Sequence, residues 1–231
     1  MMVKNTTYTI TIKEKFLQLL ERNLDKLLII PAFQRYVNRK ANNKYGITFE
    51  TYHGTSEIDD VFSEYKFYDI QPTDIVLDIG ANVGAFSLFV SKFTKHVYAV
   101  EPMLFDILNS NIIKNNKRNV LALPYALGEG IINISWEGCK TKQIEAKSLK
   151  ELINLCGGHV DFLKCDCEGG EWAITAEDLR GIRRVEFEVH NFDGKHNLQD
   201  FLNMLDEARF NYEYTEPREG ILIIHGRNKI W

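Results

Sequence analysis

Three short stretches of this 231-residue chain gather the residue types that do chemistry. The first reads Asp78-Ile79-Gly80-Ala81-Asn82-Val83-Gly84. An apolar strand ends in an acid, and two glycines follow where the chain must turn sharply into a helix. Glycine lets a backbone approach a ligand closely. A dinucleotide site would carry three glycines, so that a pyrophosphate can sit on the helix N-terminus. Here Asn82 occupies the loop, and Asp78 with Asn82 suits a ligand bearing an ammonium, a carboxylate and a ribose better than bridging phosphates. The second stretch, Glu101-Pro102, closes the next apolar run. An acid at that point can accept both ribose hydroxyls. Ala126, just after Pro124-Tyr125, stands where it can border an adenine, although a simple core turn explains it equally well.

The third stretch is Val160-Asp161-Phe162-Leu163-Lys164-Cys165-Asp166-Cys167-Glu168-Gly169-Gly170-Glu171. In an extended strand Lys164, Asp166 and Glu168 share one face while Cys165 and Cys167 take the other. Three charges inside a buried strand would be costly unless they stand at its C-terminal end, in a ligand crevice. Lys164 would keep a neighbouring carboxylate ionised, as a base or as a holder of substrate. Candidate proton acceptors are therefore Asp166 first, Glu168 next, and His190, which ends a later acidic strand. For His190 the alternative is a satisfied strand-end histidine without catalytic work.

The elements that must position these residues follow from periodicity. From Pro72 onward the chain alternates between strand and helix: Ile75 to Gly80, Val83 to Phe93, Val97 to Glu101, Leu104 to Asn115, and Val120 to Pro124. Gly128 to Trp136 reads as an extra strand or hairpin, Ser148 to Leu155 as a helix, Val160 to Asp166 as a strand, Glu171 to Leu179 as a helix and Val185 to His190 as a strand. A helix over Asn197 to Ala208 and two closing strands, Phe210 to Tyr214 and Gly220 to Ile224, complete the pattern. That alternation predicts an α/β fold, a parallel sheet with crossover helices. Residues 12 to 40 carry apolar positions at helical spacing, so an N-terminal helical extension (1–45) precedes a main domain (46–231).

Composition bounds the partners. Apolar content of 45% with 26% charged is that of a globular protein, and no apolar run reaches the roughly 18 residues of a membrane span. No signal-peptide core is visible, so a cytoplasmic location with reduced cysteines is expected. Residues 1 to 44 hold nine Lys or Arg against three acids, a net +6, which leaves the remainder at −10 for a total of −4. The basic arm keeps an RNA or protein acceptor open, while the acidic remainder weighs against a broad phosphate-binding face and against DNA. Two cysteines two residues apart, with no second ligand pair, do not make a metal site, and none is expected. An NAD-dependent oxidoreductase is disfavoured by the loop, and a non-catalytic binding protein by four acids in one crevice. Oligomeric state is not written in the sequence.

These residues resemble the FkbM family of methyltransferases. The match lies in Val76 to Gly84 with Phe86-Ser87, in Tyr98-Ala99-Val100-Glu101-Pro102, and in Asp161 to Glu171. Glu57 to Phe67 and Glu186-Phe187-Glu188-Val189-His190 also look like family features. Cys167 and Gly170 depart from the family, which more often has an aliphatic residue and an alanine there. The resemblance implies a Rossmann-like class I methyltransferase fold: a seven-stranded, mostly parallel sheet with its last strand antiparallel and helices on both faces. It also implies transfer of a methyl group from S-adenosylmethionine to an oxygen of a sugar, glycan or other small molecule. On that reading Asp78, Gly80, Asn82, Gly84, Glu101, Pro102 and Ala126 bind the cofactor, and Asp166, Glu168 and His190 are the catalytic candidates.

Overall fold

A computed structural model describes residues 44–49, 61–135, 141–191 and 194–231. The expected N-terminal extension falls almost wholly outside them, as do Trp136 and Cys139.

Seven strands form one sheet in the order β3-β2-β1-β7-β8-β10-β9. They are β1 (Ile75–Ile79), β2 (His96–Val100), β3 (Val120–Leu123), β7 (Phe162–Cys165), β8 (Arg184–His190), β9 (Phe210–Arg218) and β10 (Ile221–Asn228). All pairings from β3 to β8 are parallel, and β10 runs antiparallel to both of its neighbours. The last strand in sequence is thus the one reversed strand, as the resemblance implied. Chain order reverses between β1 and β7, so their C-terminal ends splay around a crevice, the switch point where open α/β sheets bind ligands.

Helices α1 (Ala85–Val90) and α2 (Phe105–Lys114) cover one face of the sheet, and α3 (Leu149–Leu155) and α4 (Leu198–Glu207) cover the other. Period-2 alternation assigns the faces. Leu77, Ile79, Leu163, Val185, Phe187 and Val189 pack with α3 and α4, whereas Val76, Val97 and Phe162 pack with α1 and α2. Removing one of these fully buried side chains costs about 2 to 5 kcal/mol. Ser148 caps α3 with a reciprocal Ser148–Glu151 capping box, and Asn197 caps α4 through the Gln199 N–H.

Two expectations are revised. Glu171 to Leu179 is not a continuous helix: only a 3-10 turn forms, Gly170–Ala173, after which Ile174 goes extended to bury its side chain in the core. Asp178 then takes the Thr175 N–H and hydroxyl, a local alternative to helical bonding. The expected strand after Gly128 is β5 (Gly130–Ile134), but it belongs to a small second sheet with β4 (Ala126–Leu127) and β6 (Lys142–Lys147), the last of which the sequence did not announce. No helix among the described residues is long and apolar enough to cross a membrane.

Candidate functional site

A cavity of about 760 Å³ opens at the C-terminal ends of β1, β2 and β7. That is ample for a cofactor and part of a second substrate, since small-molecule pockets run from about 300 to 1,000 Å³. Its floor is the loop after β1. Gly80 and Ala81 donate their N–H groups to Val100 O on one side, and Asp166 N–H donates to Ile79 O on the other, so the loop is clamped between β2 and β7. Gly80 has φ +75°, and a Cβ there would lie 1.6 Å from the Asp166 carbonyl oxygen. Only glycine fits. Asn82 also takes a left-handed backbone, φ +51°, and its N–H donates to Glu101 Oε2 at 3.0 Å.

Glu101 is 7% exposed and lines the cavity. Burial raises its pKa, against the pull of backbone N–H groups from Leu104, Met103 and Asn82. Those three donors occupy three of the roughly four lone-pair sites of a carboxylate. One site remains for a further donor. Asn82 Oδ1 is buried with no hydrogen-bond partner among the described residues, and therefore awaits a donor. Pro102, Met103, Tyr125, Ala126, Ile132 and Ile134 supply an apolar wall beside it. A cradle that excludes any Cβ, an orphaned acceptor, a half-open carboxylate and an apolar slot together fit a nucleoside with a charged amino-acid tail.

Three residues expected in the site stand behind the cavity wall. Asp78 is fully buried; its Oδ2 accepts from Ser87 Oγ at 2.6 Å, and its Oδ1 lies 3.4 Å from Lys164 Nζ. Gly84, φ +93°, starts α1, where a Cβ would press within 2.7 Å of Leu108 Cδ1. His190 is 4% exposed, its Nδ1 3.4 Å from Glu171 Oε1 and its Nε2 3.4 Å from Glu188 Oε1. Burial pulls its pKa down, but hydrogen bonds to Glu171 and Glu188 outweigh that and push it up to about 10. At neutral pH His190 is an imidazolium, a charge partner with no lone pair to receive a proton.

Asp166 and Glu168 do line the cavity. Asp166 Oδ2 lies 3.4 Å from Lys164 Nζ and accepts from the Tyr65 hydroxyl at 2.9 Å. Burial raises its pKa, Lys164 lowers it and Glu188 raises it again, for a net upward shift. Lys164 is 4% exposed and donates to Gly80 O at 3.0 Å. Burial disfavours its charge, yet Asp166 and Asp78 outweigh that and hold the ammonium. Glu168 sits at φ +60°, its side chain half exposed, with Oε2 3.8 Å from His190 Nε2. Of the four non-glycine residues with positive φ among the described residues, Asn82 and Glu168 both line this cavity. Strained backbone of that kind gathers at functional sites.

Sequence reasoning did not single out Glu188 and Tyr65 for proton chemistry. Both line the cavity, and the Tyr65 hydroxyl also reaches Glu188 Oε2, at 3.2 Å. Glu188 had a readable signal: Arg184, Glu186, Glu188 and His190 alternate with apolar residues on a central strand, which demands partners for four charges. Two clusters have ligand atoms within 4.8 Å of one another, Asp166 with Glu168 and His190, and Cys165 with Cys167 and Glu171. In the first the His190 ring is engaged by Glu171 and Glu188, and in the second Glu171 already accepts from the Cys167 and Gly169 N–H groups.

Comparison with known proteins agrees with this geometry. A similar fold occurs in an rRNA methylase from Streptococcus thermophilus, 11% identical, TM-score 0.50, covering 76% of this chain and 96% of that one. It recurs as well in a precorrin-6y C5,15-methyltransferase from Geobacter metallireducens, 14% identical, TM-score 0.52, covering 81% of this chain and 96% of that one. A curated protein of Methanosphaera stadtmanae, named "Probable ribosomal RNA small subunit methyltransferase A", is 41% identical over 54 residues, which are 22% of this chain and only 20% of that protein. The model of the methyltransferase FkbM domain matches residues 78–214, more than half of the chain and the whole stretch from the first glycine loop to β9. With a switch-point cavity, a glycine cradle and a strand-end acid inside that match, the chain belongs to the FkbM family of methyltransferases.

Proposed function

We propose that this chain transfers a methyl group from S-adenosylmethionine to a hydroxyl of a small-molecule or glycan acceptor, with Asp166 receiving the hydroxyl's proton. The observation that carries the reading is the placement of Asp166: its carboxylate lines the cavity beside the Gly80 cradle and is flanked by a buried ammonium and a tyrosine hydroxyl. The cofactor brings a methyl already activated on a positive sulfur, so the protein's work is alignment and proton removal.

Gly80 lets the backbone approach, Asn82 Oδ1 accepts from a cofactor donor, the open site on Glu101 takes a ribose hydroxyl, and Pro102 and Ala126 flank the base. Asp78 and Gly84 act behind them: Asp78 fixes Lys164 and Ser87, and Gly84 makes the turn into α1. Burial raises the Asp166 pKa above the ordinary aspartate value, against the pull of Lys164, which makes it a better proton acceptor than an exposed aspartate. Glu168 faces the acceptor's side of the cavity as a holder of hydroxyls, and His190 keeps Glu188 ionised.

A second reading, methylation of RNA, has the net +6 of residues 1 to 44 in its favour. Against it, the cavity near Asp166 is lined by Glu64, Glu168 and Glu188 against the cations Lys164 and Arg218, and Lys164 is already held by Asp78 and Asp166, which suits a polyhydroxylated acceptor better than a phosphate backbone. Methyl-labelled S-adenosylmethionine incubated with a panel of glycans, hydroxylated natural products and total RNA separates the two. Label in the small-molecule fraction, as an alkali-stable ether, supports the proposal; label confined to RNA contradicts it.

A further inference from the structure

Two carboxylates, not one, stand ready to accept a proton, and they share a single donor. The Tyr65 hydroxyl is 2.9 Å from Asp166 Oδ2 and 3.2 Å from Glu188 Oε2, yet it carries one hydrogen and can serve one of them at a time. Tyr65 is 101 residues from Asp166 and 123 from Glu188, so the fold alone brings the three together.

Its position is set by what grips its neighbour. Lys66 N–H donates to Glu186 Oε2 at 3.0 Å, Lys66 O accepts from Arg184 Nη2 at 2.7 Å, and the Lys66 ammonium pairs with Glu213. The Tyr65 ring packs edge-on against Phe86, centroids 6.2 Å apart, with Lys164 Nζ 5.4 Å from its centre. Only the torsion of the O–H bond is left free.

We propose that Tyr65 is a positioning residue that sets the proton affinity of Asp166: its hydroxyl donates to the Asp166 carboxylate before transfer and turns to Glu188 once Asp166 has taken the proton, so that Glu188 stays ionised. This rests on the reading of Asp166 as the base. During transfer the acceptor oxygen forms its bond to the methyl carbon, the carbon–sulfur bond breaks with its electron pair returning to sulfur, and the oxygen's proton passes to Asp166. A protonated carboxyl no longer needs an O–H donor, so the Tyr65 hydrogen is released to Glu188 at that moment. Tyr65 keeps its own proton throughout: burial first, then Asp166 and Glu188, hold its pKa well above ordinary.

The charged and titratable groups around Asp166 are Lys164 on its own strand, Glu188 and His190 on β8, Tyr65 before β1, Glu168 on the following turn, and Arg218 on β9 at the cavity mouth. Within that set Tyr65 and Glu188 act on Asp166 with opposite signs. Removing the hydroxyl takes away a hydrogen bond to the ionised form, whereas removing the Glu188 charge takes away a repulsion.

The test follows the Asp166 carboxyl carbon by ¹³C NMR in protein labelled at aspartate, with S-adenosylhomocysteine as the bound probe and Asp166→Asn identifying the signal. Tyr65→Phe, which keeps the ring and its packing, is expected to raise the Asp166 midpoint by about one pH unit, the worth of a hydrogen bond to a charged group. Glu188→Gln is expected to lower it. Opposite movements support the assignment; movement in one common direction, or none in either variant, overturns it while the probe still binds. Failure of S-adenosylhomocysteine to bind the wild type would instead overturn the reading of the cavity itself.

Discussion

Strand β8 puts Arg184, Glu186, Glu188 and His190 on one face of the sheet, and its two halves use the same residue types differently. In the first half every charge is closed off. Arg184 is 2% exposed, pairs with Glu186 and Asp69, and donates to the carbonyls of Val185, Gly226 and Lys66. Glu186 accepts from Lys66 N–H and His225 Nδ1. The register continues this across the sheet as a row of facing polar partners, Asp78, Lys164, Glu186, His225. In the second half the partners run out at a cavity. Glu188 has His190 on one side and the shared Tyr65 hydroxyl on the other, and Asp166 and Glu168 face open space. A closed set of charges holds the chain in place, and a set left one partner short can take part in a reaction. Lys66 joins the two, since the closed half grips the residue next to Tyr65.

Substitutions should separate the halves. Asp166→Asn, in the open half, is expected to slow turnover on the acceptor found by the labelled-methyl screen by about 10²- to 10⁴-fold, with S-adenosylhomocysteine affinity unchanged and a smaller fall in stability than Arg184→Met, since Asp78 still pairs Lys164. Comparable loss of stability would place Asp166 among the structural charges. Arg184→Met, in the closed half, should do the reverse, lowering unfolding free energy in a urea titration by about 3 to 5 kcal/mol because Glu186 and Asp69 stay buried without their guanidinium. A cavity variant, Gly80→Ala, tests the floor both halves depend on. With φ positive and the Asp166 carbonyl in the way, it should abolish calorimetric binding of S-adenosylhomocysteine and cost about 1 to 3 kcal/mol from strain alone.

A further contrast concerns His190 and pH. Its pKa is about 10 in the folded protein against 6.5 for an unperturbed histidine. A raised folded pKa means that its contribution to stability is complete below about pH 6.5, shrinks as pH rises above that, and is gone above about pH 10. Melting curves from pH 6 to 10 should therefore fall less steeply in His190→Gln than in the wild type. Identical slopes would mean that His190 is not held as a cation.

The open half was partly legible in the sequence and the closed half hardly at all. Gly80, Glu101 and Asp166 sit beside strand ends that local pattern marks, so periodicity alone put them near one crevice. Tyr65 fell within a stretch that looked like the family, but nothing local marked its link to Asp166 and Glu188, because that arises from contacts across more than a hundred residues. Asp78 illustrates the opposite limit. Its place at the end of β1 was read correctly, but which way a strand-end acid faces depends on Ser87 and Lys164, and those pull it beneath the loop. The 3-10 turn at Gly170 was missed for a related reason. The stretch has helical composition, but Glu171 is drawn to backbone N–H groups at Cys167 and Gly169, and Trp172 Nε1 to His190 O, so tertiary bonds override propensity.

Whether the cavity is an S-adenosylmethionine site is tested most directly by calorimetric titration of the protein with S-adenosylmethionine, S-adenosylhomocysteine and NAD in parallel. Saturable one-to-one binding of the first two, weakened by Glu101→Ala and absent for NAD, is the expected result. Binding of NAD with no response to either sulfur compound would contradict it.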